Sequence, residues 1–181
     1  MIHMEDIKKA LEGCGALQFG DFTLASGAKS SYYIDIKKAS TKPAVLSVIA
    51  KTMAKRMEEM GIHPDRVAGV VLGSIPLATA LSLETGIPLL MVRKERKDHG
   101  TGKLVEGDLS PGDDVLVIED VITTAGSSMK AIAALRAEGV KVEKVFSVID
   151  REGGGRENLE SIGVQLNSLV KGSDLLKGAK Q

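Results

Sequence analysis

Four short apolar runs constrain the fold of this sequence more than any other feature. They are rich in Val, Ile and Leu, show no alternation with polar residues, and are separated by helix-length or loop segments. A strand that is apolar on both faces is packed between helices, which is typical of a parallel sheet in a βαβ series. The sequence therefore predicts an α/β fold, a central mostly parallel sheet flanked by helices, with strands at residues 67–72, 88–92, 115–118 and 145–149.

Helices are predicted where apolar residues recur every three or four positions. Pro43 suits a first helical turn and Gly61 a C-terminal cap, which bounds one helix at residues 43–60. A hairpin precedes this helix, with its turn at Ser26-Gly27 and its strands on a sheet edge. The other predicted elements are that hairpin at 19–36, helices at 3–14, 76–85 and 127–138, a last strand at 164–169, and a long charged loop or hairpin at 93–112.

Composition excludes several classes of protein. The chain has 181 residues, with 24 Lys and Arg against 24 Asp and Glu, so it lacks the surplus cations of a nucleic-acid-coating protein. Its one cysteine, Cys14, excludes a disulfide framework and fits a reducing, cytoplasmic location. No apolar run approaches the roughly 18 residues of a membrane span, and no signal-peptide pattern is present. We expect one cytoplasmic domain over residues 1–181 that binds neither nucleic acid nor membrane.

The segment around the third apolar run carries the most informative chemistry. Residues 115–128 read Val-Leu-Val-Ile-Glu-Asp-Val-Ile-Thr-Thr-Ala-Gly-Ser-Ser, so a buried strand ends in an acidic pair followed by small residues and a helix. At the carboxyl end of a strand, small residues and a helix N-terminus let backbone N–H groups converge on a phosphate. Ionised Glu119 and Asp120 can accept hydrogen bonds from sugar hydroxyls. The pattern indicates a cradle for a ribose 5-phosphate, with further donors at Thr123, Thr124, Ser127 and Ser128.

Helix capping is the alternative explanation for part of this segment. An acidic residue before a helix or in its first turn is an ordinary feature that favours the helix dipole. Capping accounts for Glu119 and Asp120 taken alone, but not for the whole pattern. The segment also lacks the signatures of a Walker A loop and of a dinucleotide-binding turn.

The basic stretch at residues 93–103 is a second candidate site, with five cations against two acids. A solvated surface loop is one alternative, and a nucleic-acid patch is another that the lack of interleaved aromatics weakens. As a lid, the stretch would bring cations onto a polyanion and exclude water. Lys97 could present a fixed ammonium to a departing anion. Because imidazoles titrate near neutrality, His99 could carry or donate a proton.

These segments together resemble the type I phosphoribosyltransferases. Residues 115–128 are similar to that family's motif for phosphoribosyl diphosphate (PRPP). Further segments resemble the members that act on orotate, in family order from about residue 19 to 151: residues 22–27 with 31–35, 93–100 with 106–107, and 150–151.

The resemblance implies a Mg²⁺-dependent transfer of a phosphoribosyl group from PRPP to orotate, giving orotidine 5′-phosphate and pyrophosphate in pyrimidine (UMP) biosynthesis. It also implies a small N-terminal hood over about residues 1–40, a core over about 43–170, and a homodimer whose catalytic loop is shared across the interface. Mg²⁺ would be held by substrate and water, without a direct protein ligand.

The site residues that the resemblance implies fall into three groups. The catalytic group is Lys97, His99, Glu119 and Asp120; the PRPP-binding group is Gly73, Ser74, Arg93, Lys94, Lys97, His99, Glu119, Asp120, Val121, Ile122, Thr123, Thr124, Ala125, Gly126 and Ser127; and the orotate-binding group is Thr123 and Arg151.

Two positions depart from the family pattern. Members commonly carry Lys where this chain has Leu72 and Ala25. At Ala25, either Lys29 makes the contact that the family's lysine makes or that contact is absent. Ser74 has an ordinary alternative too, since it could cap a helix in a plain βα connection.

The base-binding residues also have alternatives. Arg151 could offer its guanidinium fork to the oxygens of orotate, or it could form a surface ion pair with Asp150 or Glu152. One of Tyr32 and Tyr33 could stack on the pyrimidine ring, while the other packs.

Two other functions remain open. A purine phosphoribosyltransferase would keep residues 115–128 but would not need Arg151 or the loop of Lys97 and His99 in this form. A regulator that binds PRPP without turnover would usually append a DNA-binding segment or lose the catalytic loop, and the sequence shows neither change.

Overall fold

The structure is a computed structural model that describes residues 4–24, 27–95 and 102–177. In chain order its elements are α1 (Met4–Gly13), β1 (Leu17–Thr23), β2 (Lys29–Ile34), α2 (Ile36–Ser40), α3 (Pro43–Glu59), β3 (Arg66–Val70), α4 (Ile75–Thr85), β4 (Leu89–Val92), β5 (Val105–Glu106), β6 (Asp114–Ile122), α5 (Gly126–Ala137), β7 (Lys141–Asp150), α6 (Gly155–Glu160), β8 (Gln165–Lys171) and α7 (Gly172–Lys177).

Six strands form one sheet in the order β5-β4-β3-β6-β7-β8. All neighbouring pairs are parallel except β4 and β5, which are antiparallel. The predicted α/β fold with a mostly parallel sheet is therefore confirmed. Because β3 and β6 are parallel neighbours, the turns that follow them meet at the same edge of the sheet, where open α/β sheets bind ligands.

In β6, the apolar run shows no alternation with polar residues because both faces of the strand are buried. Leu116 and Ile118 pack into a hydrophobic cluster with α1, α3 and α4, whereas Val115 and Val117 pack into a second cluster with α5 and α6. Successive side chains of a strand point to opposite faces, so the two clusters cover the two faces of the sheet. All four side chains are buried, and β6 is held from both sides.

The N-terminal hairpin differs from the prediction in two respects. β1 and β2 form a separate antiparallel two-stranded sheet and do not lie on the edge of the main sheet. The strand also ends at Ile34, and a helix begins at Ile36, where the sequence predicted more strand. The buried residues of α2 are Ile36, Ala39 and Ser40, a helical spacing that places them on one face. Strand alternation therefore stops two residues earlier than predicted.

The other predicted elements are confirmed with small shifts at their ends. The helices predicted at 3–14, 43–60, 76–85 and 127–138 correspond to α1, α3, α4 and α5, and the last strand to β8. The predicted loop or hairpin at 93–112 contains β5, which pairs with β4. α6 and α7 were not predicted, because six residues each are too few to show a helical period. Within the described ranges, no helix is both long and apolar enough to cross a bilayer.

Candidate active site

A cavity of about 640 Å³ opens at the carboxyl ends of β3 and β6. One wall is the turn after β3, residues 70–74, and another is residues 119–128, which comprise the end of β6, the next turn and the start of α5. Lys37, Lys94 and Lys130 complete the lining. The structure thus brings together most of the predicted PRPP-binding residues: Gly73, Ser74, Lys94, Glu119, Asp120, Val121, Ile122, Thr123, Thr124, Ala125, Gly126 and Ser127.

Glu119 lines this cavity with a side chain that is almost wholly buried and hydrogen-bonded at both carboxylate oxygens. Its Oε2 accepts a 2.8 Å hydrogen bond from Ser74 Oγ, and its Oε1 accepts a 2.6 Å hydrogen bond from Ser128 Oγ. Burial raises the pKa of the Glu119 carboxyl because the charged form loses water, and the two serine hydroxyls oppose this rise. Ser128, predicted as a phosphate donor, is therefore committed to Glu119.

These contacts overturn the capping alternatives. Glu119 and Asp120 lie inside β6, and the residue that precedes α5 is Ala125. Ser74 does precede α4, but its side chain makes no capping hydrogen bond and bonds to Glu119 instead.

Asp120 is the more exposed carboxylate of the acidic pair. Its Oδ1 accepts a 2.8 Å hydrogen bond from the N–H of Val121. Its Oδ2 lies against Gly73, where an added Cβ would collide with the carboxylate. Glycine at this position therefore permits the turn after β3 and the end of β6 to approach each other.

The turn after β3 was predicted to face a diphosphate with its backbone N–H groups. The Ser74 N–H instead donates to the Val70 carbonyl at 3.3 Å, so this donor is already engaged. The peptide bond between Val71 and Leu72 is cis, and the Leu72 side chain is 69% exposed at the cavity. This wall of the cavity thus presents an apolar side chain where the family pattern has a lysine.

The turn between β6 and α5 has the geometry expected of an anion-binding turn. Ala125 adopts a left-handed conformation with φ 66° and ψ 17°, and α5 begins at Gly126 without a side-chain cap. An uncapped helix N-terminus leaves its first N–H groups available to a ligand. Thr123, Thr124 and Ser127 are exposed and line the cavity, so their hydroxyls can add donors.

The segment after β7 supports this turn from the side away from the cavity lining. The Gly155 N–H donates to the Thr123 carbonyl at 2.8 Å, and Asn158 Nδ2 donates to the Thr124 carbonyl at 2.9 Å. A Cβ on Gly153 would lie 2.8 Å from Thr123 Cγ2, and one on Gly155 would lie 2.7 Å from the Thr123 carbonyl oxygen. The two glycines therefore allow α6 to pack directly against the turn.

The predicted basic residues are only partly brought to the cavity. Lys94 lines it, whereas Arg93 forms a 2.9 Å ion pair with Glu106 across the β4–β5 hairpin. Arg93 lines a smaller neighbouring cavity of about 280 Å³ instead. Lys97 and His99 lie outside the described residues.

Arg151 lies beside the turn between β6 and α5 but does not line the main cavity. Its N–H donates to the Ile122 carbonyl at 2.8 Å. Its guanidinium lies over the Tyr32 ring, 4.7 Å from the centroid, and Nη2 is 3.4 Å from Ser30 Oγ. Tyr32 is therefore a packing residue, and Tyr33, which is 44% exposed, does not line the cavity either.

The surface ion pair proposed as the alternative for Arg151 is wrong. Asp150 is buried and forms a 3.1 Å ion pair with Arg156. Glu152 accepts a 2.7 Å hydrogen bond from the N–H of Ser173. The two neighbouring carboxylates thus have other partners in the described part of the chain.

Sequence reasoning missed two cavity-lining cations, Lys37 and Lys130. Lys130 lies one helical turn after Gly126, so helical periodicity could have placed it on the cavity side. Lys37 has no local signal, since it reaches the cavity only through the packing of α2 near the turn after β3. Lys29, weighed as a substitute for the missing lysine at Ala25, donates to Thr23 Oγ1 at 2.8 Å and does not line the cavity; Ala25 itself lies outside the described ranges.

A strand that carries two carboxylates near its end, followed by a turn with the geometry of an anion site, on a mostly parallel sheet, defines the class of this protein. Residues 36–167, well over half of the chain, match the family described as the phosphoribosyl transferase domain. The chain therefore belongs to the phosphoribosyltransferases, which are pentosyl-transferring enzymes.

Relatives that match nearly the whole chain narrow the class to one branch. Orotate phosphoribosyltransferase of Pyrococcus abyssi is 50% identical over 175 residues, covering 97% of this chain and 96% of the relative. That of Methanosarcina mazei is 53% identical over 173 residues, covering 96% and 91%. The crystal structure of orotate phosphoribosyltransferase from Aeropyrum pernix superposes with a TM-score of 0.85 at 36% identity, covering 96% and 97%. Within its class, the chain belongs to the orotate phosphoribosyltransferases.

Proposed function

We propose that this chain transfers the 5-phosphoribosyl group of PRPP to orotate, giving orotidine 5′-phosphate and pyrophosphate in pyrimidine biosynthesis. The observation that carries the proposal is the convergence of an anion-binding turn and two carboxylates on one cavity at the ends of β3 and β6. The cavity volume of about 640 Å³ suits a small molecule such as PRPP.

The ribose 5-phosphate would bind at the turn of residues 123–127. Backbone N–H groups at the start of α5 and the hydroxyls of Thr123, Thr124 and Ser127 supply hydrogen-bond donors to the phosphate oxygens. Asp120 would accept hydrogen bonds from the ribose hydroxyls. Glu119 would fix the two serines that it binds, and each of its oxygens keeps a second lone pair for a ribose hydroxyl.

Catalysis in this site would rest on positioning and electrostatics. As pyrophosphate departs from C1, negative charge develops on its oxygens and positive charge on the ribose. Lys94 lines the cavity at its α5 end and would act on the departing oxygens from that side. Lys97 and His99 of the loop would also stabilise them. Arg93 could join them only by releasing Glu106. The orotate nitrogen then attacks C1, so no nucleophilic side chain is required.

Orotate would bind between Thr123 and Arg151. The guanidinium of Arg151 is already oriented by Tyr32 and Ser30, and its fork of N–H donors matches the oxygens of orotate. The ring of Tyr32 is used for this packing, so stacking on the base is not part of its proposed role.

Mg²⁺ fits the chemistry of the donor set. The described residues contain no group of three or more His, Cys, Asp or Glu side chains that could enclose a metal. Mg²⁺ favours oxygen ligands and keeps several waters, so the phosphates of PRPP and water would hold it, and the acidic pair would reach it through the ribose or through metal-bound water. Bound there, it would neutralise charge on the diphosphate.

We also propose a single domain with an N-terminal hood, a homodimer that shares the loop of residues 93–103 across its interface, and a cytoplasmic location. The single cysteine supports the location. The orotate phosphoribosyltransferase relatives support the domain organisation. Size-exclusion chromatography with light scattering tests the dimer, and a monomer at assay concentrations would contradict it.

The test of the activity is pyrophosphate release in the presence of Mg²⁺ and PRPP, with orotate, adenine or hypoxanthine supplied separately. We expect turnover with orotate alone. Release with a purine would favour a purine phosphoribosyltransferase, and PRPP binding without release would favour a regulator. Arg151→Ala should raise the KM for orotate much more than the KM for PRPP.

A further inference from the structure

Lys37 lies on the cavity wall formed by the turn after β3. Its Cγ is 3.4 Å from the position that a Cβ on Gly73 would occupy, and the carboxylate of Asp120 meets the same position. The aliphatic stem of Lys37 therefore packs beside the turn, and its side chain is 62% exposed. An ammonium on such a stem can reach a ligand in the cavity.

The present partner of this ammonium holds it weakly. Lys37 Nζ is 3.9 Å from Asp35 Oδ1, which is beyond hydrogen-bond distance. That Asp35 oxygen is buried and has no hydrogen-bond partner among the described residues. Because this contact is not a hydrogen bond, Lys37 gives up none when its ammonium turns toward an anion.

The lysines of the cavity lie at two different ends. Lys94 and Lys130 also line the smaller neighbouring cavity together with Ser127, which places them at the α5 end. Of the two cavities, Lys37 lines only the main one, where it lies beside Leu72 and Gly73. Leu72 brings no charge to this wall, so Lys37 is the cation that the described residues supply there.

We propose that Lys37 is a substrate-binding residue whose ammonium contacts the diphosphate of PRPP, and the released pyrophosphate, at the wall of Leu72 and Gly73. The inference rests on the proposed function, because the turn at residues 123–127 takes the 5-phosphate and Asp120 the ribose hydroxyls. The diphosphate on C1 then extends beyond Asp120, which is where Lys37 and Gly73 lie.

The test compares Lys37→Met with Lys38→Met. Methionine keeps the apolar stem beside Gly73 and removes the charge. Lys38 is the matched control, since it lies on the same helix but its Nζ sits 2.9 Å from where a Cβ on Gly15 would be, away from the cavity. Calorimetry with Mg²⁺ and inorganic pyrophosphate measures binding, and steady-state kinetics give the KM values for PRPP and orotate.

Lys37→Met should weaken pyrophosphate binding and raise the KM for PRPP by roughly ten- to a hundredfold, as expected for the loss of a charge-assisted hydrogen bond. The KM for orotate should change little. Lys37→Arg should restore most of the binding, and Lys38→Met should behave as the unmodified chain.

Unchanged pyrophosphate binding in a folded Lys37→Met protein would overturn the inference, and so would a rise confined to the KM for orotate. Thermal melting establishes that the variant is folded, and Lys37→Gln replaces it if it is not. The calorimetry needs no turnover, so it separates this inference from the proposed function, which fails if the unmodified chain does not use orotate.

Discussion

Ser74 and Glu119, which are 45 residues apart in sequence, join the turn after β3 to the end of β6 through a 2.8 Å hydrogen bond from Ser74 Oγ to Glu119 Oε2. The other carboxylate oxygen is held by Ser128 at the start of α5. One buried carboxylate thus connects the turn after β3, the end of β6 and the first turn of α5. The walls proposed for the diphosphate and for the ribose phosphate are thereby fixed relative to each other.

The first prediction concerns these two serines. Ser74→Ala and Ser128→Ala should each lower the free energy of unfolding by about 1–3 kcal/mol, because each leaves the buried carboxylate with one donor fewer. The double variant should lose less than the sum, since both serines act on one group. Urea unfolding measures all three. Ser127→Ala is the control, and an equal loss from this exposed neighbour would contradict the explanation.

The second prediction concerns pH. Burial raises the pKa of Glu119 above its ordinary value of 4.5, so between these two values the folded state binds more protons than the unfolded state. The contribution of Glu119 to stability is therefore fully present below pH 4.5 and is lost as the pH rises through the folded-state pKa. Nearby Asp120 reinforces this rise of the pKa, and Lys94 opposes it.

Glu119→Gln removes this titration. The stability of the variant relative to the unmodified chain should therefore increase as the pH rises through that window and then level off. Urea unfolding at a series of pH values measures the difference. A constant difference across the window would show that Glu119 is not the group responsible.

The third prediction concerns the close approach of Gly73 to Asp120. Gly73→Ala should displace the Asp120 carboxylate and lower kcat by roughly 10- to 100-fold, as misplacement of a substrate-positioning group does. Gly13→Ala is the control, because a Cβ there meets nothing within 4 Å. Steady-state kinetics and thermal melting measure the pair. Undiminished kcat in Gly73→Ala would show that the approach is not needed.

The fourth prediction concerns Ser147, in the middle of β7. Its side chain is fully buried, and its Oγ has no hydrogen-bond partner in the described structure. Ser147→Ala should therefore raise the free energy of unfolding by about 1 kcal/mol, because a desolvated, unpaired hydroxyl is removed. Ser40→Ala is the matched control, since Ser40 is also buried but donates to the Ile36 carbonyl at 3.0 Å. A gain in stability for both variants would point to a different cause.

The strands and the turn between β6 and α5 could be predicted from the sequence because their causes are local. A run without alternation reports burial on both faces, as the division of β6 between two clusters shows. The order of acidic, hydroxyl and glycine residues at 119–127 likewise predicts a turn between a strand and a helix, which the structure has between β6 and α5. Neither inference needs to know what packs nearby.

The partners of individual side chains could not be predicted, because they depend on distant segments. Ser74 and Ser128 carry hydroxyls of the kind that donate hydrogen bonds to ligands, yet both donate to Glu119. Arg93 belongs to a basic stretch but pairs with Glu106 after the chain reverses at β4 and β5. Lys37 reaches the cavity only because a helix, α2, begins at Ile36, and no helix was predicted there.

The division of β6 between two clusters has a consequence for how the site is lost. A strand whose successive side chains are enclosed on opposite faces cannot slide or fray without opening both halves of the interior, so amide exchange along its centre should require global unfolding. Glu119 and Asp120, which lie near the end of this strand, are held in place together with it. Ligand recognition in this chain should therefore persist up to the melting transition and disappear together with it.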